Sequence, residues 1–140
     1  MHRFAAVFAI IVLVFASHDA FALDGVQRAE VKNPRLLNSF GEALSENINT
    51  YQQVQISADV ENKQATPQTF VYIVQIVADN GVIQKLTWIS ASLNPQQSLS
   101  PAISWTPTNP GTYTAQIYVW DSIKDANALA QQTQIKIIVS

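Results

Sequence analysis

Apolar and polar side chains alternate along much of this chain with the two-residue period of a β-strand. The pattern is clearest between residues 112 and 120, where one face carries Tyr113, Ala115, Ile117 and Val119. The other face carries Thr114, Gln116, Tyr118 and Trp120. Pro107, Pro110 and Gly111 exclude a helix just before this segment and supply a turn, so we predict that a strand begins at Thr112.

A second region of regular alternation runs from residue 52 to residue 60 and predicts a strand with one buried face. Residues 70–79 and 82–93 are also strand-like, and they flank Asn80-Gly81, a strong hairpin signal. If the hairpin loop has two residues, the facing pairs are Val77 with Gln84, Gln75 with Leu86, and Ile73 with Trp88.

The remaining segments give weaker signals. Residues 98–105 predict a short strand with Leu99, Ile103 and Trp105 on one face, held to an edge or bulge by Pro101. Residues 133–139 predict the last strand. Residues 34–44 predict a first edge strand broken near Gly41, with a short helix over 34–47 as the alternative.

Together these segments predict an all-β fold, a two-sheet antiparallel sandwich of about seven strands with turns every 8 to 12 or so residues. We predict that the domain covers residues 34–140, behind a flexible lead-in at residues 23–33. Residues 1–22 predict a secretory signal helix, since a basic start and a short apolar run precede Ala20-Phe21-Ala22. The alternative is an uncleaved N-terminal anchor.

The charges restrict the possible partners. Eight Lys and Arg and ten Asp and Glu residues are scattered along the chain, giving a net charge of −2 and no basic stripe for nucleic acid. Without the predicted signal, the chain is expected to be secreted or associated with the cell envelope, with no membrane span.

Candidate chemistry is sparse. His2, His18 and Met1 lie in the predicted signal and the chain has no cysteine, so we expect no cofactor, metal or histidine-based catalysis. Asp59 and Glu61 are the best carboxylate pair, about 7 Å apart on one strand face and compatible with an inverting glycosidase. The alternative is a solvated strand end.

Loop carboxylates are a further candidate. These residues are Asp79, Asp121 and Asp125. Their side-chain oxygens could bind Ca²⁺ or cap turns.

The segment Gly111-Thr112-Tyr113-Thr114-Ala115 resembles the start of strand F in immunoglobulin-like domains, where a tyrosine hydroxyl bonds to backbone just upstream. Ala115 stands where those domains have a cysteine. The chain is thus similar to disulfide-free immunoglobulin-like modules, such as fibronectin type III and CARDB domains. The segments FVYIVQIVADNGV (70–82), SWTP (104–107) and GTYTAQIYVW (111–120) also resemble small exported immunoglobulin-like proteins of ammonia-oxidising archaea. The resemblance implies that Trp88 or Trp105 takes the core tryptophan role.

The alternation predicts an unusual outer sheet face. If Phe70, Tyr72, Val74 and Ile76 point to the core, an apolar and aromatic surface remains outside, and contiguous surfaces of this kind mark partner sites. Its candidate binding residues are Trp88, Tyr118, Trp120, Gln75, Gln116 and Ile73. The alternatives are that an N-terminal arm covers this face or that Trp88 turns inward.

The sequence therefore predicts a non-enzymatic secreted domain that contacts a protein partner at the cell surface, as a homo-oligomer or an accessory of a surface layer. The alternative function is a carbohydrate-binding module that stacks sugar rings on the aromatic face. Donation of residues 23–33 to a neighbour's sheet is disfavoured, because these residues do not alternate.

Overall fold

The computed structural model describes residues 23–140, in which it has ten β-strands, a 3-10 turn at Gly25–Gln27 and no α-helix. The predicted signal at residues 1–22 lies outside the described residues. The strands are β1 (Ala29–Leu37), β2 (Ala43–Leu44), β3 (Asn47–Ile48), β4 (Val54–Asn62), β5 (Gln68–Ala78), β6 (Ile83–Leu93), β7 (Ser98–Leu99), β8 (Ala102–Trp105), β9 (Gly111–Trp120) and β10 (Thr133–Val139).

The strands form two sheets packed face to face, which confirms the predicted immunoglobulin-like sandwich. Sheet 1 has the order β2-β1-β4-β7, with β8 also paired to β4, and sheet 2 has the order β3-β10-β9-β5-β6. All pairs are antiparallel except β3 with β10, which is parallel. Three of the ten strands have only two residues each, so the longer strands approach the number that alternation predicts.

The core lies between the sheets and is filled by the alternating residues of both. The predicted inward faces of β4, β5 and β9 are all buried. Tyr72 of sheet 2 crosses the core, and its hydroxyl donates a hydrogen bond to the Ile56 carbonyl of sheet 1 at 3.1 Å. Burial raises the pKa of this phenol, so Tyr72 remains a donor that ties the two sheets together.

The flexible lead-in predicted for residues 23–33 is wrong from Ala29 onward. Ala29 is buried, its N–H donates to the Leu129 carbonyl at 2.8 Å, and β1 pairs with β4 on both sides of residues 33–34. Alternation failed here because Pro34 lacks an N–H and β1 has a register shift between Lys32 and Arg35, which interrupts the period. The domain therefore begins several residues before residue 34.

The chain after β1 turns back on itself and forms no helix over residues 34–47. The Asn38 side-chain oxygen accepts hydrogen bonds from the N–H groups of Phe40 and Glu42, both at 2.9 Å. Gly41, with φ of 80°, completes this turn. The break predicted near Gly41 is confirmed.

The central hairpin has its predicted strands but a longer loop. The Gly81 N–H donates to the Ala78 carbonyl and the Ala78 N–H to the Val82 carbonyl, both at 2.9 Å, so the loop has three residues rather than two. Val77 therefore faces Ile83 instead of Gln84. A bulge at Gln84 then restores the register.

Because of this bulge, the other two predicted pairs are confirmed: Gln75 with Leu86, and Ile73 with Trp88.

The predicted strand over residues 98–105 is split into β7 and β8. Pro101 lies between them, and both pieces pair with β4 at the edge of sheet 1. Ile103 and Trp105 are buried as expected, but Leu99 is 42% exposed. Leu99 lies opposite the core residue Val60, so it shares the predicted face with Ile103 and Trp105. It is exposed because the two-residue strand β7 lies at the edge of the sheet.

The tyrosine implied by the resemblance makes the expected contact. The Tyr113 hydroxyl donates to the Asn109 carbonyl, four residues upstream, at 2.8 Å. Its ring meets Trp105 edge-on, with centroids 5.1 Å apart. Trp105 is buried and Trp88 is exposed, so Trp105 takes the core tryptophan role.

Replacing Tyr113 by Phe should destabilise the domain by about 1 kcal/mol, because the Asn109 carbonyl loses its donor while the ring packing stays. Chemical denaturation followed by tryptophan fluorescence measures the change. Tyr51→Phe is the matched control, since Tyr51 is 75% exposed. Equal stability of both variants and the parent would contradict a stabilising role for the Tyr113 hydroxyl.

Candidate binding face of sheet 2

The outer surface of sheet 2 brings together side chains from β5, β6 and β9 in three cross-strand rows. On β5, Val71, Ile73 and Gln75 occupy the centre. The rows are Ser90-Val71-Trp120, Trp88-Ile73-Tyr118 and Leu86-Gln75-Gln116. We call this surface the outer face. All six predicted binding residues belong to it.

Exposure differs between the centre and the flanks of the outer face. Ile73 is only 3% exposed, because it lies between the larger side chains of Trp88 and Tyr118, whereas Trp88 is 47% exposed. Tyr118 and Trp120 are partly exposed. The rings flanking Ile73 are thus accessible to a partner, while Ile73 itself is a packed support and not a contact residue.

Hydrogen bonds and ring contacts hold the flanking side chains in place. The Gln116 side-chain oxygen accepts from Gln75 Nε2 at 3.1 Å and from the Tyr118 hydroxyl at 3.2 Å. The rings of Tyr118 and Trp120 meet at an interplanar angle of 60°, with centroids 5.9 Å apart. The outward residues of β5, β6 and β9 carry no charge. The outer face is therefore ordered, neutral and partly aromatic.

Neither of the alternatives for the outer face applies within residues 23–140. Trp88 points outward, and the described N-terminal residues pair with β4 of sheet 1. Sequence reasoning missed two further exposed apolar residues of β6: Ile83, opposite Val77, and Ile89, which lies opposite Tyr72 on the other side of the sheet. They are exposed because β6 is an edge strand, and strand order is not visible in a local pattern.

The carboxylates Asp59 and Glu61 are both occupied by structural partners. Asp59 accepts from Ser100 Oγ at 2.6 Å, from Asn33 Nδ2 at 2.9 Å and from Arg35 at 3.0 Å. The Ser100 hydroxyl, together with Asn33 and Arg35, lowers the pKa of Asp59 to about 2. Such a carboxylate stays ionised and is unsuited to donate a proton as a general acid.

Glu61 has a different partner. It forms a salt bridge with Lys63 at 2.9 Å, and Lys63 also contacts Glu30 at 3.1 Å. The two carboxylates of the predicted pair thus belong to separate charge networks. The arrangement is that of a strand end whose carboxylates are bonded to neighbouring side chains.

Among the loop carboxylates, Asp121 caps the turn that follows β9. Asp121 accepts from the N–H groups of Ser122 and Asn127, at 2.7 and 3.0 Å, and from the Asn127 side chain. In residues 23–140 no group of three or more His, Cys, Asp or Glu side chains could hold a metal ion.

A polar cleft of ≈ 520 Å³ opens between β6 and β8 at one side of the sandwich. Lys85 Nζ donates to the Ser104 carbonyl at 2.7 Å across it. Trp105 and Tyr113 line the cleft but are buried. The cleft therefore offers mainly amide and hydroxyl groups, and its cation is already bonded.

The architecture defines the class of this protein as a disulfide-free immunoglobulin-like β-sandwich. The chain belongs to the S-layer A-like (SlaA-like) family, whose sequence profile matches residues 14–125. This family indicates an extracellular or cell-envelope location. No helix within the described part of the chain is long and apolar enough to cross a membrane. No curated protein sequence matches the chain.

Solved structures with the same fold come from proteins of different kinds. The C-terminal domain of wzt superposes with a TM-score of 0.69 at 14% identity, covering 84% of this chain and 76% of that one. A CARDB domain from Pyrococcus furiosus, solved in complex with di-metal ions, gives 0.53 at 17% identity, covering 83% and 97%. The CARDB similarity confirms the type of sandwich that the sequence predicts.

A cycloisomaltooligosaccharide glucanotransferase from a Paenibacillus species, complexed with cycloisomaltoheptaose, also contains this fold. Its TM-score is 0.59 at 19% identity, covering 79% of this chain but 14% of that enzyme. At these identities the similarity concerns the fold alone.

The bonded state of Asp59 predicts a specific loss of stability in acid. Its pKa is lower in the folded protein than the ordinary value of 3.8, so its stabilisation is present above about pH 4 and is lost as the pH falls towards 2. Asp59→Asn should lower stability at pH 7 by about 1–3 kcal/mol and flatten this acid dependence. Urea denaturation at several pH values measures both effects.

Asp125→Asn serves as the control, because the Asp125 side chain accepts no hydrogen bond in the described structure. An unchanged pH profile in Asp59→Asn would contradict the assigned role of Asp59.

Proposed function

We propose that this protein is a secreted, non-enzymatic immunoglobulin-like domain that binds a protein partner at or near the cell surface through its outer face. Membership of the S-layer A-like family supports the surface location. The resemblance to exported immunoglobulin-like proteins of archaea and the signal at residues 1–22 remain predictions. A homo-oligomer or a surface-layer accessory would both fit this role.

The observation that carries the proposal is the exposed aromatic rim around a buried aliphatic centre. Trp and Tyr dominate the energetically important positions of protein interfaces, because they bury a large area with little loss of side-chain freedom. Trp88 is about half exposed beside buried Ile73, and Tyr118 and Trp120 complete the rim. The three rows of the outer face carry no charge, which avoids the desolvation cost of burying unpaired ions. Lys136 of β10 lies on the same side of sheet 2, opposite Thr114.

The side-chain amides of the outer face are already hydrogen-bonded, which favours a protein partner over a glycan. Gln75 and Gln116 are bonded to each other, and Gln116 also accepts from Tyr118. A sugar would have to replace these bonds to gain hydroxyl contacts, whereas an apolar protein side chain could pack on the rings without breaking them. Carbohydrate binding remains the alternative outcome of the test.

The test compares Trp88→Ser and Trp120→Ser with the parent protein in a pull-down from native cell envelopes. Both variants should stay folded and bind the captured partner at least about 30-fold more weakly, as expected for interface anchors. Phe40→Ser is the matched control, because Phe40 is 88% exposed in the turn between β1 and β2, away from the outer face.

Unfolding of Trp120→Ser would identify Trp120 as a core residue. Full binding by both face variants would reject the outer face as the interface. A glycan array that retains the parent protein but not Trp88→Ser would replace the proposed protein partner by a carbohydrate.

A further inference from the structure

Strand β6 forms a long edge of sheet 2. It has eleven residues, pairs with β5 on one side, and has no pairing partner on the other side among residues 23–140. Exposed apolar side chains follow it: Ile83, Leu86, Trp88 and Ile89. An edge of this kind is a template for another β-strand.

The other described edges are interrupted or short. Sheet 1 ends in the two-residue strand β2 on one side and in β7 and β8 on the other, with Pro101 between them. Sheet 2 ends opposite β6 in the two-residue strand β3. Short strands and proline are the devices by which proteins block edge pairing. These devices are present at three edges and missing from β6 beyond its bulge at Gln84.

The one charged side chain of β6, which could block edge pairing, is bonded to another strand. Lys85 is its one charged residue, and the ammonium group bonds to the Ser104 carbonyl at 2.7 Å. From Leu86 to Leu93 the strand has neither charge nor proline. This half of β6 therefore lacks the charge and the proline that protect sheet edges from pairing.

The register of sheet 2 identifies the backbone groups at the free edge. Asp79, just beyond β5, donates its N–H to the Thr112 carbonyl at 3.1 Å, and backbone groups along a strand point alternately to its two neighbours. Odd-numbered residues of β5 therefore bond to β9, and even-numbered ones to β6. Since Tyr72 faces Ile89, the residues of β6 that direct N–H and C=O outward are Leu86, Trp88 and Ser90.

We propose that a second copy of this chain pairs with β6 through its own β6, antiparallel and across a two-fold axis. Pairing centred near Trp88 places Leu86 opposite Ser90 of the second copy, and Lys85 opposite the neutral Ala91. A parallel arrangement in register would place the two Lys85 residues side by side. The antiparallel arrangement therefore avoids like charges and brings the apolar residues of the two β6 strands side by side.

This pairing closes as a dimer. A two-fold interface uses the same edge of both copies, and the remaining described edges are too short or broken to extend the sheet further. The outer faces of the two copies then lie on the same side of one continuous sheet. The proposal concerns the edge of β6 and does not depend on the outer face binding a protein.

The test uses a proline at a residue whose N–H points to the free edge. Ser90→Pro should leave the monomer folded, since proline is tolerated at such edge positions, and should weaken self-association by at least about 10-fold because it removes a pairing donor. Ser90→Ala keeps the N–H and should associate like the parent. Sedimentation velocity over a concentration series measures association, and circular dichroism checks folding.

A cross-link provides a second readout that does not depend on proline. The parent has no cysteine, so the double variant Leu86→Cys with Ser90→Cys should form a disulfide-linked dimer under mild oxidation, because paired residues across antiparallel strands lie within disulfide range. Gln134→Cys on β10 is the control and should remain monomeric.

A parent that stays monomeric at all concentrations, equal association of the proline and alanine variants, or no preferential cross-linking would each overturn the proposal. Capture of a different protein through β6 would also overturn it. Trp120→Ser leaves the β6 backbone unchanged and Ser90→Pro leaves the aromatic side chains in place. Failure of edge pairing and failure of the outer face as a binding surface are therefore distinguishable.

Discussion

The structure depends on burying β5 on both of its faces. Its even-numbered residues from Phe70 to Ile76 fill the space between the sheets, and its odd-numbered residues Val71 and Ile73 are also almost completely buried. No third layer covers the odd-numbered side in the described structure, so neighbouring strands must supply side chains large enough to flank it. Trp88, Tyr118 and Trp120 do so. An aromatic surface is thus a consequence of placing a strand with apolar residues on both faces inside a two-layer fold.

A second constraint concerns the breaks in sheet 1. Pro34 interrupts β1 on one side of β4, and Pro101 separates β7 from β8 on the other. Asp59 of β4 lies between the two breaks, where it bonds Arg35 from one side and Ser100 from the other. One carboxylate thereby replaces part of the backbone pairing that both prolines remove. The residue that looks most catalytic in the sequence is accounted for by this structural role.

The alternation of apolar and polar residues correctly predicted which side chains of a strand point inward. It failed where a bulge shifted the period or where exposure depended on strand order. The inward faces of β4, β5 and β9 and the rows of the outer face follow directly from the two-residue period. Ala29 was missed because the bulge near Pro34 shifts the period of β1. The loop of the central hairpin was predicted one residue too short, yet the pairing of Ile73 with Trp88 was correct because the bulge at Gln84 offsets the error.

The order of strands in sheet 2 determines which apolar residues of β5 and β6 are exposed. This order could not be obtained from the sequence. β5 and β6 have equal lengths, but β5 lies between two strands and β6 at an edge. The same kind of side chain is therefore buried as Ile73 and exposed as Ile83. Trp88 belongs to both surfaces that result, since its ring lies on the outer face and its backbone on the free edge. Pairing at the edge would extend the aromatic rows of one copy into those of the next, so a partner of the outer face would meet a surface twice as wide without any change in either fold.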